Sequence, residues 1–312
     1  MQVRVSRKSQ VKVLEDIVLR ASSRLGEILR EAVKIEADGG DASEVWARLR
    51  EGVRRVLLLG RITGVAAVNV RAGERLPSVN PGVSVFQAVD VSGSLVQIGF
   101  EEAAEAFERL IPDIVDLINA LAPQLDETAD ATIGGVRDDV RRRLDAVRRL
   151  DAARRRFEGE ARTAAEIAAA VAPQPEAQIE TIVRTATQRA FNEGSRDQLD
   201  RNRTLFPVYQ LDEIRDLRTR GNPRGRDPDG GFHWQMDGFV AYSDDPIWRR
   251  IWPPNGWNCR ATVTGLTVEQ AASKGYVAAD GSIDAEHRRR VEAAGRRQRA
   301  IVERGDYPDP GF

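Results

Sequence analysis

The chain has 312 residues, 41% hydrophobic and 30% charged, with a formal net charge of −1. That length allows a large core and more than one domain, whereas the near-zero charge excludes bulk attraction for nucleic acid and leaves only a local patch. The single cysteine, Cys259, excludes an intramolecular disulfide framework and a four-cysteine zinc site within one chain. The N-terminus, Met1-Gln-Val-Arg-Val-Ser-Arg-Lys, has no apolar h-region, and no run of about 18 apolar residues occurs. The expectation is a protein made in a cytoplasm, without a membrane partner.

Leu14, Ile17, Val18, Ala21, Leu25, Ile28, Leu29 and Ala32 recur at three- and four-residue steps, which predicts a long amphipathic helix. Asp38-Gly39-Gly40-Asp41 ends it. Ser43 is placed to cap a second helix with Val45, Trp46, Leu49, Val53 and Val56 on one face. From Arg61 to Phe100 the pattern changes. Val65–Val70 and Val83–Val91 are valine-rich and broadly alternate, and Ser92-Gly93 is a turn signal before Leu95-Val-Gln-Ile98. A small antiparallel β insertion at about 61–100 is expected. Helix returns over Glu101 to Leu121, with a kink expected at Pro112 and a break at Ala122-Pro123.

The next helix, about Thr128 to Glu160, has a sparse seam of Val136, Val140, Leu144, Val147, Leu150 and Phe157. Between Arg137 and Arg156 nine arginines face four aspartates, a local balance of 9 − 4 = +5. Arg141, Arg142, Arg148, Arg149, Arg155 and Arg156 form a candidate patch for DNA or an acidic partner. The alternative is a solvated helix laced with i,i+4 ion pairs such as Asp139–Arg143 and Asp145–Arg149. No aromatics are interleaved as stacking platforms, which argues against a single-strand binder.

Ala161 to Val171 reads as helix, broken at Pro173-Gln-Pro175. Glu176 opens another, with Ile179, Ile182, Val183, Ala186 and Ala190 inward. Leu205 to Leu211 reads as a short strand that Pro207 places near a sheet edge. Ala261 to Leu266 is a last strand, and Thr267 caps a short helix that Gly275 stops. A charged helix from Ala285 to Glu303 precedes a tail expected to be disordered by itself.

Between Glu213 and Arg260 lie one of the two histidines, the cysteine and four of the five tryptophans, in a stretch with little regular periodicity. It reads as a site, or as an aromatic core under long loops. Its pieces are Arg184-Thr185 and Asn192-Glu-Gly194 upstream, Arg218-Thr-Arg220, His233 with Asp237-Gly238, and Pro253-Pro254-Asn255 with Asn258-Cys259-Arg260. In this order they resemble the phage Mu F-like head morphogenesis family, over roughly Ala161 to Leu266. The resemblance implies a minor head protein of a tailed phage. Such a protein would be active in head assembly, associated with the portal and other head proteins and possibly with packaged DNA. It would be found in the virion and in the host cytoplasm during assembly. It implies structural roles for Arg184, Thr185, Asn192, Gly194, Arg218, Arg220, His233, Asp237, Gly238, Pro254, Asn258, Cys259 and Arg260.

The same residues also allow a reading as chemistry. His233 and Asp237, four apart, would fit a metal-dependent nuclease, but no second histidine is nearby. Many members of the resembled family carry a second cysteine where this chain has Ala261. Cys259 with His233 would make a nucleophile and base, yet nothing in the sequence fixes their geometry, and the adjacent Trp257 points to burial. The Gly221–Gly231 insertion, read as a mobile loop, separates Arg220 from His233 and argues against their meeting. Arg218 and Arg220 are expected to pair with Asp212, Glu213 or Asp216. The expectation is no enzyme, no cofactor, no metal and no small-molecule substrate, with a metal-dependent nuclease or a DNA-binding module as the rivals. The expected class is α+β: a mostly helical region 1–160 with the β insertion, a compact Mu F-like domain 161–278, and a charged helix and tail 279–312.

Overall fold

The computed structural model describes residues 7–72, 114–158 and 163–309. They form two compact units. One holds the described residues of 7–59 and 114–187, and the other holds 60–72 and 188–309. The class is α+β, mostly helical with one three-stranded antiparallel sheet. No helix among the described residues is long and apolar enough to cross a membrane.

The first unit is helical. α1 spans Arg7–Ala37, α3 Ile114–Glu158 and α4 Ala164–Val171, while α2 (Ser43–Ala72) and α5 (Pro173–Arg201) begin in this unit and continue into the second at residues 60 and 188. The predicted stripe of α1 is the buried one, through Leu25, Leu29 and Ala32. α4 opens with a capping box between Thr163 and Glu166 and packs on α1 and α3. Ser43 is not a cap but the first helical residue. Its amide donates to the Asp41 carboxylate at 2.9 Å, just ahead of the helix. α3 continues through Pro123, where the sequence predicts a break. Leu125, Ala129 and Ile133, immediately beyond it, are buried on one face, and that burial outweighs the one backbone hydrogen bond a proline removes. The predicted α3 seam is buried at Val136, Val140 and Leu144, but Leu150 is 71% exposed.

The valine-rich run Val65–Val70 is helix, not strand. Ile62, Val65 and Val68 are buried at three-residue steps, so a helical face accounts for them better than alternation does. The remainder of the expected β insertion, and Pro112 with its kink, lie outside the described residues.

The second unit is built on the sheet. β1 is Val208–Asp212, β2 Val240–Tyr242 and β3 Thr262–Leu266, in the order β2-β1-β3. β1 is therefore central rather than an edge strand. Pro207 lies just before its ladder, so no strand donor is lost there. Alternation sorts the side chains. Tyr209, Leu211, Ala241 and Val263 join a core with Phe239, Trp248 and Ile251, while Val208, Val240, Tyr242 and Leu266 join a smaller one. Two single-turn helices, α6 His233–Met236 and α7 Trp248–Ile251, lie in the connections. α8 (Val268–Ser273) starts at a Thr267–Gln270 capping box. α9 (Ala285–Glu303) starts at Asp284 and places Val291 in the smaller core and Ile301 and Val302 in the larger.

Within this unit the α2 residues 60–72 cross the 188–201 stretch of α5 at two glycines. A Cβ added to Gly64 would overlap the Phe191 carbonyl, and one added to Gly194 would overlap the Arg61 carbonyl. Contact this close needs small residues on both helices. Arg61, 6% exposed, bridges the crossing to Glu193 and Asp197, at 2.6 Å each.

Candidate functional site

The motif residues of the second unit converge after β1 and before β3. Glu213 follows β1 directly, His233 begins α6, and Cys259 lies three residues before β3. All three are buried, at 3%, 3% and 4% exposure. His233 Nδ1 is 3.1 Å from Glu213 Oε1. The Cys259 sulfur lies within 4.8 Å of the donor atoms of both. The three line a cavity of about 260 Å³ with Thr219, Arg220 and Trp257.

The tail, predicted to be disordered, supplies the rest. Tyr307 is fully buried, and its hydroxyl donates to Glu213 Oε1 at 3.2 Å. That hydroxyl accepts from Asn255 Nδ2 at 2.6 Å, and Asn255 also donates to the Ile251 carbonyl. Asp309 pairs with Arg220 and lies 3.3 Å from His233 Nε2. The His233 and Tyr307 rings meet edge to face at 5.2 Å. Burying an aromatic hydroxyl and a carboxylate is favourable only when their polar atoms are satisfied, and here each satisfies the other.

Arg220 Nη2 reaches His233 Nε2 at 3.0 Å, so the two meet despite the insertion. The insertion closes on itself. Gly221 N donates to the Asp227 carbonyl, Arg226 N to Leu217, and Trp234 N to Arg220. Arg220 takes Asp309 as its partner in place of the nearby acids. Arg218 pairs with Asp216 at 3.5 Å as expected. Asp216 also receives a bidentate pair from Arg260, at 2.7 Å on each oxygen.

Burial opposes charge on His233, but hydrogen bonds to Asp309, Cys259 and Glu213 outweigh it and lift its pKa from 6.5 to about 11. Burial likewise raises the Asp309 carboxyl, and its bonds to His233 and Arg220 reverse this, leaving it lowered. The Tyr307 hydroxyl is raised well above 10, first by burial and then by the Glu213 charge. Asp216 is held below the usual carboxylate range, mainly by its hydrogen bond from Arg260.

The other motif residues are framework. Asn192 and Gln188 both donate to the Ala261 carbonyl, at 3.0 and 2.8 Å, tying α5 to the start of β3. Trp252 Nε1 donates to the Asn192 carbonyl. Asp237, expected beside His233, instead accepts from the Glu213 amide at 3.0 Å and pairs with Arg215 at 3.1 Å. Gly238 and Asn258 adopt positive φ, 80° and 59°, which a glycine and an asparagine tolerate. Pro254 is buried and its bond to Pro253 is cis. Trp257, whose place beside Cys259 suggests burial, is 59% exposed, and Cys259 is buried without it. In the helical unit, Arg184 pairs with Glu180, and the Thr185 hydroxyl donates to the Thr181 carbonyl.

The arginine patch is largely engaged within its own unit. Arg141 lies 3.5 Å from the Glu36 carboxylate, and Arg148 donates to the Glu36 and Ala37 carbonyls at the end of α1. Arg149 bonds the Asp145 carbonyl and Arg142 pairs with Asp139. Arg155 and Arg156 lie in the same helix.

Sequence reasoning does not place Glu213, Tyr307 or Asp309 beside His233 and Cys259. The sequence signal for the last two is an aromatic followed by a proline, Tyr307-Pro308, in the tail. Glu213, His233 and Cys259 offer oxygen, nitrogen and sulfur atoms all within 4.8 Å of one another.

Comparison with known proteins agrees with the order of the motifs. Residues 148–264 match the family described as Phage Mu protein F like protein. The resemblance therefore holds over that segment, which begins at 148 where the motifs alone reach back to 161. The chain is 29% identical over 110 residues to the Mu-like prophage FluMu F protein of Haemophilus influenzae, covering 35% of this chain and 24% of that protein. It is 30% identical over 102 residues to the putative capsid assembly protein F of Escherichia phage Mu, covering 33% of this chain and 21% of that one. The chain thus spans under a quarter of the length of these curated relatives. No solved structure matches.

Proposed function

We propose that this protein acts in phage capsid assembly, as a minor head protein that contacts the portal and other head proteins and ends up in the virion. The observation that supports this is the Phage Mu F-like segment at 148–264, together with the name of the phage Mu relative. The geometry suits a structural role. Asn192 ties α5 to the start of β3, and Arg220, Asp237 and Arg260 tie the connections of the second unit to one another through hydrogen bonds or ion pairs, so these motif residues hold the framework of that unit together. DNA contact by the α3 arginines is the weaker part of the reading, because Arg141, Arg148 and Arg149 already meet acceptors in their own unit.

The test is co-expression with the portal protein encoded by the same phage genome, followed by size-exclusion chromatography and electron microscopy. A stable complex is the expected result. Well-folded protein that never co-migrates with the portal, and whose deletion leaves the yield of filled heads unchanged, would overturn it.

A further inference from the structure

We infer that Glu213, His233 and Cys259 form a binding site for a single borderline transition-metal ion of the Zn²⁺ class. The inference does not depend on the assembly role proposed above. Three observations carry it. The first is donor chemistry: a carboxylate, an imidazole and a thiol are the three protein ligand types zinc takes, whereas magnesium and calcium take oxygen alone. The second is spacing. Tetrahedral zinc with ligands about 2.0–2.3 Å away needs donor atoms about 3.3–3.8 Å apart. Here the imidazole and carboxylate stand 3.1 Å apart and all three donors lie within 4.8 Å. The third is burial, since all three side chains are under 5% exposed, although they come from the segment after β1, the first turn of α6 and the segment entering β3.

Charge and surroundings agree. With a thiolate and a carboxylate a divalent ion is neutralised, which suits a site buried this deeply. Arg220, whose Nη2 stands 3.0 Å from His233 Nε2, is paired with Asp309, and a ligating imidazole must be neutral, so binding releases the proton that His233 otherwise holds. Tyr307 donates to Glu213 and fixes the carboxylate, as outer partners of metal ligands commonly do. The shared cavity leaves room for water as a fourth ligand. The missing Cys-x-Cys partner at Ala261 is no obstacle, because Glu213 supplies the third donor from another part of the chain. Ala261 is fully buried instead, its carbonyl taken by Gln188 and Asn192. A metal here would staple the connection after β1, the α6 turn and the segment entering β3.

The full chain, purified without a histidine tag and stripped with chelator, is titrated with Zn²⁺, Co²⁺ and Mg²⁺. One Zn²⁺ per chain is expected by elemental analysis, with a rise in melting temperature that Mg²⁺ does not reproduce. Co²⁺ should give a near-ultraviolet thiolate-to-cobalt absorption. Cys259 is the only cysteine, so that absorption reports this site and no other. Cys259→Ser should abolish it and weaken Zn²⁺ by more than about 100-fold, beyond the roughly 10–100-fold expected of an orienting partner such as Tyr307→Phe. Folded wild-type protein that binds substoichiometric Zn²⁺ or gives no cobalt–thiolate absorption would overturn the site, even if the variants fail to fold. Unchanged Zn²⁺ affinity in Cys259→Ser and Glu213→Gln would overturn it equally.

Discussion

Replacing Gly194 by alanine sets two effects against each other at one position. In an exposed helix interior the change favours the helix by about 1 kcal/mol. At Gly194 the new methyl would overlap the Arg61 carbonyl oxygen and lie 3.1 Å from its carbon and 3.3 Å from the Val65 nitrogen. All three are backbone atoms, so no rotamer change relieves the overlap and α2 and α5 must separate locally. Overpacking of this kind costs about 1–3 kcal/mol and more where backbone has to move. The net expectation is a loss of about 1–2 kcal/mol or more, the overlap winning over propensity. Gly135, in α3, provides the control, because a Cβ there meets nothing within 4 Å. Gly135→Ala should therefore stabilise its helix by up to about 1 kcal/mol. Urea unfolding is followed by tryptophan fluorescence for Gly194→Ala, since four of the five tryptophans lie in that unit, and by helical circular dichroism for Gly135→Ala. A Gly194→Ala protein as stable as the wild type, or more so, would refute the reasoning.

The Asp216–Arg260 pair has a pH signature. Its carboxyl is depressed below the usual 3.8, so its contribution is present above about pH 4 and is lost as pH falls further. Asp216→Asn should cost about 1 kcal/mol at pH 7, a value discounted for partial exposure, and the gap to wild type should close in acid; a gap independent of pH would contradict the assignment. Tyr307→Ala removes a fully buried ring and should cost about 3–5 kcal/mol in thermal unfolding, whereas a free tail predicts almost nothing. Arg148→Ala removes a cation that donates to the last α1 carbonyls. A loss of about 0.3–1 kcal/mol is expected, shrinking with added salt; a salt-independent loss would point to packing instead.

Much of the helical architecture is legible because packing stripes repeat in the sequence. Leu25, Leu29 and Ala32 announce α1, and Thr267 announces the start of α8. The misreadings have a common cause. Val65–Val70 resembles strand because β-branched residues suit either element, and the burial that decides the matter depends on a stretch, α5, more than a hundred residues later. Pro123 resembles a break when its local cost is weighed without the buried stripe on its far side. At the site, the order of the motifs is readable but their contacts are not. His233 gains its partners from Glu213, twenty residues before it, and from Asp309, seventy-six after it. No local pattern encodes such pairings. They arise once the sheet has brought the end of β1 beside the start of β3.

The glycine crossing of α2 and α5 behaves as a joint without slack. Where helices meet through side chains, a small displacement is absorbed by rotamers; where they meet backbone to backbone, it is passed on. Residues 60–72 abut the Phe191–Ser195 turn of α5 backbone to backbone, and Asn192 in that turn donates to the carbonyl of Ala261, two residues from Cys259. The crossing and the Glu213–His233–Cys259 cluster are therefore joined by one short run of direct backbone and hydrogen-bond contacts.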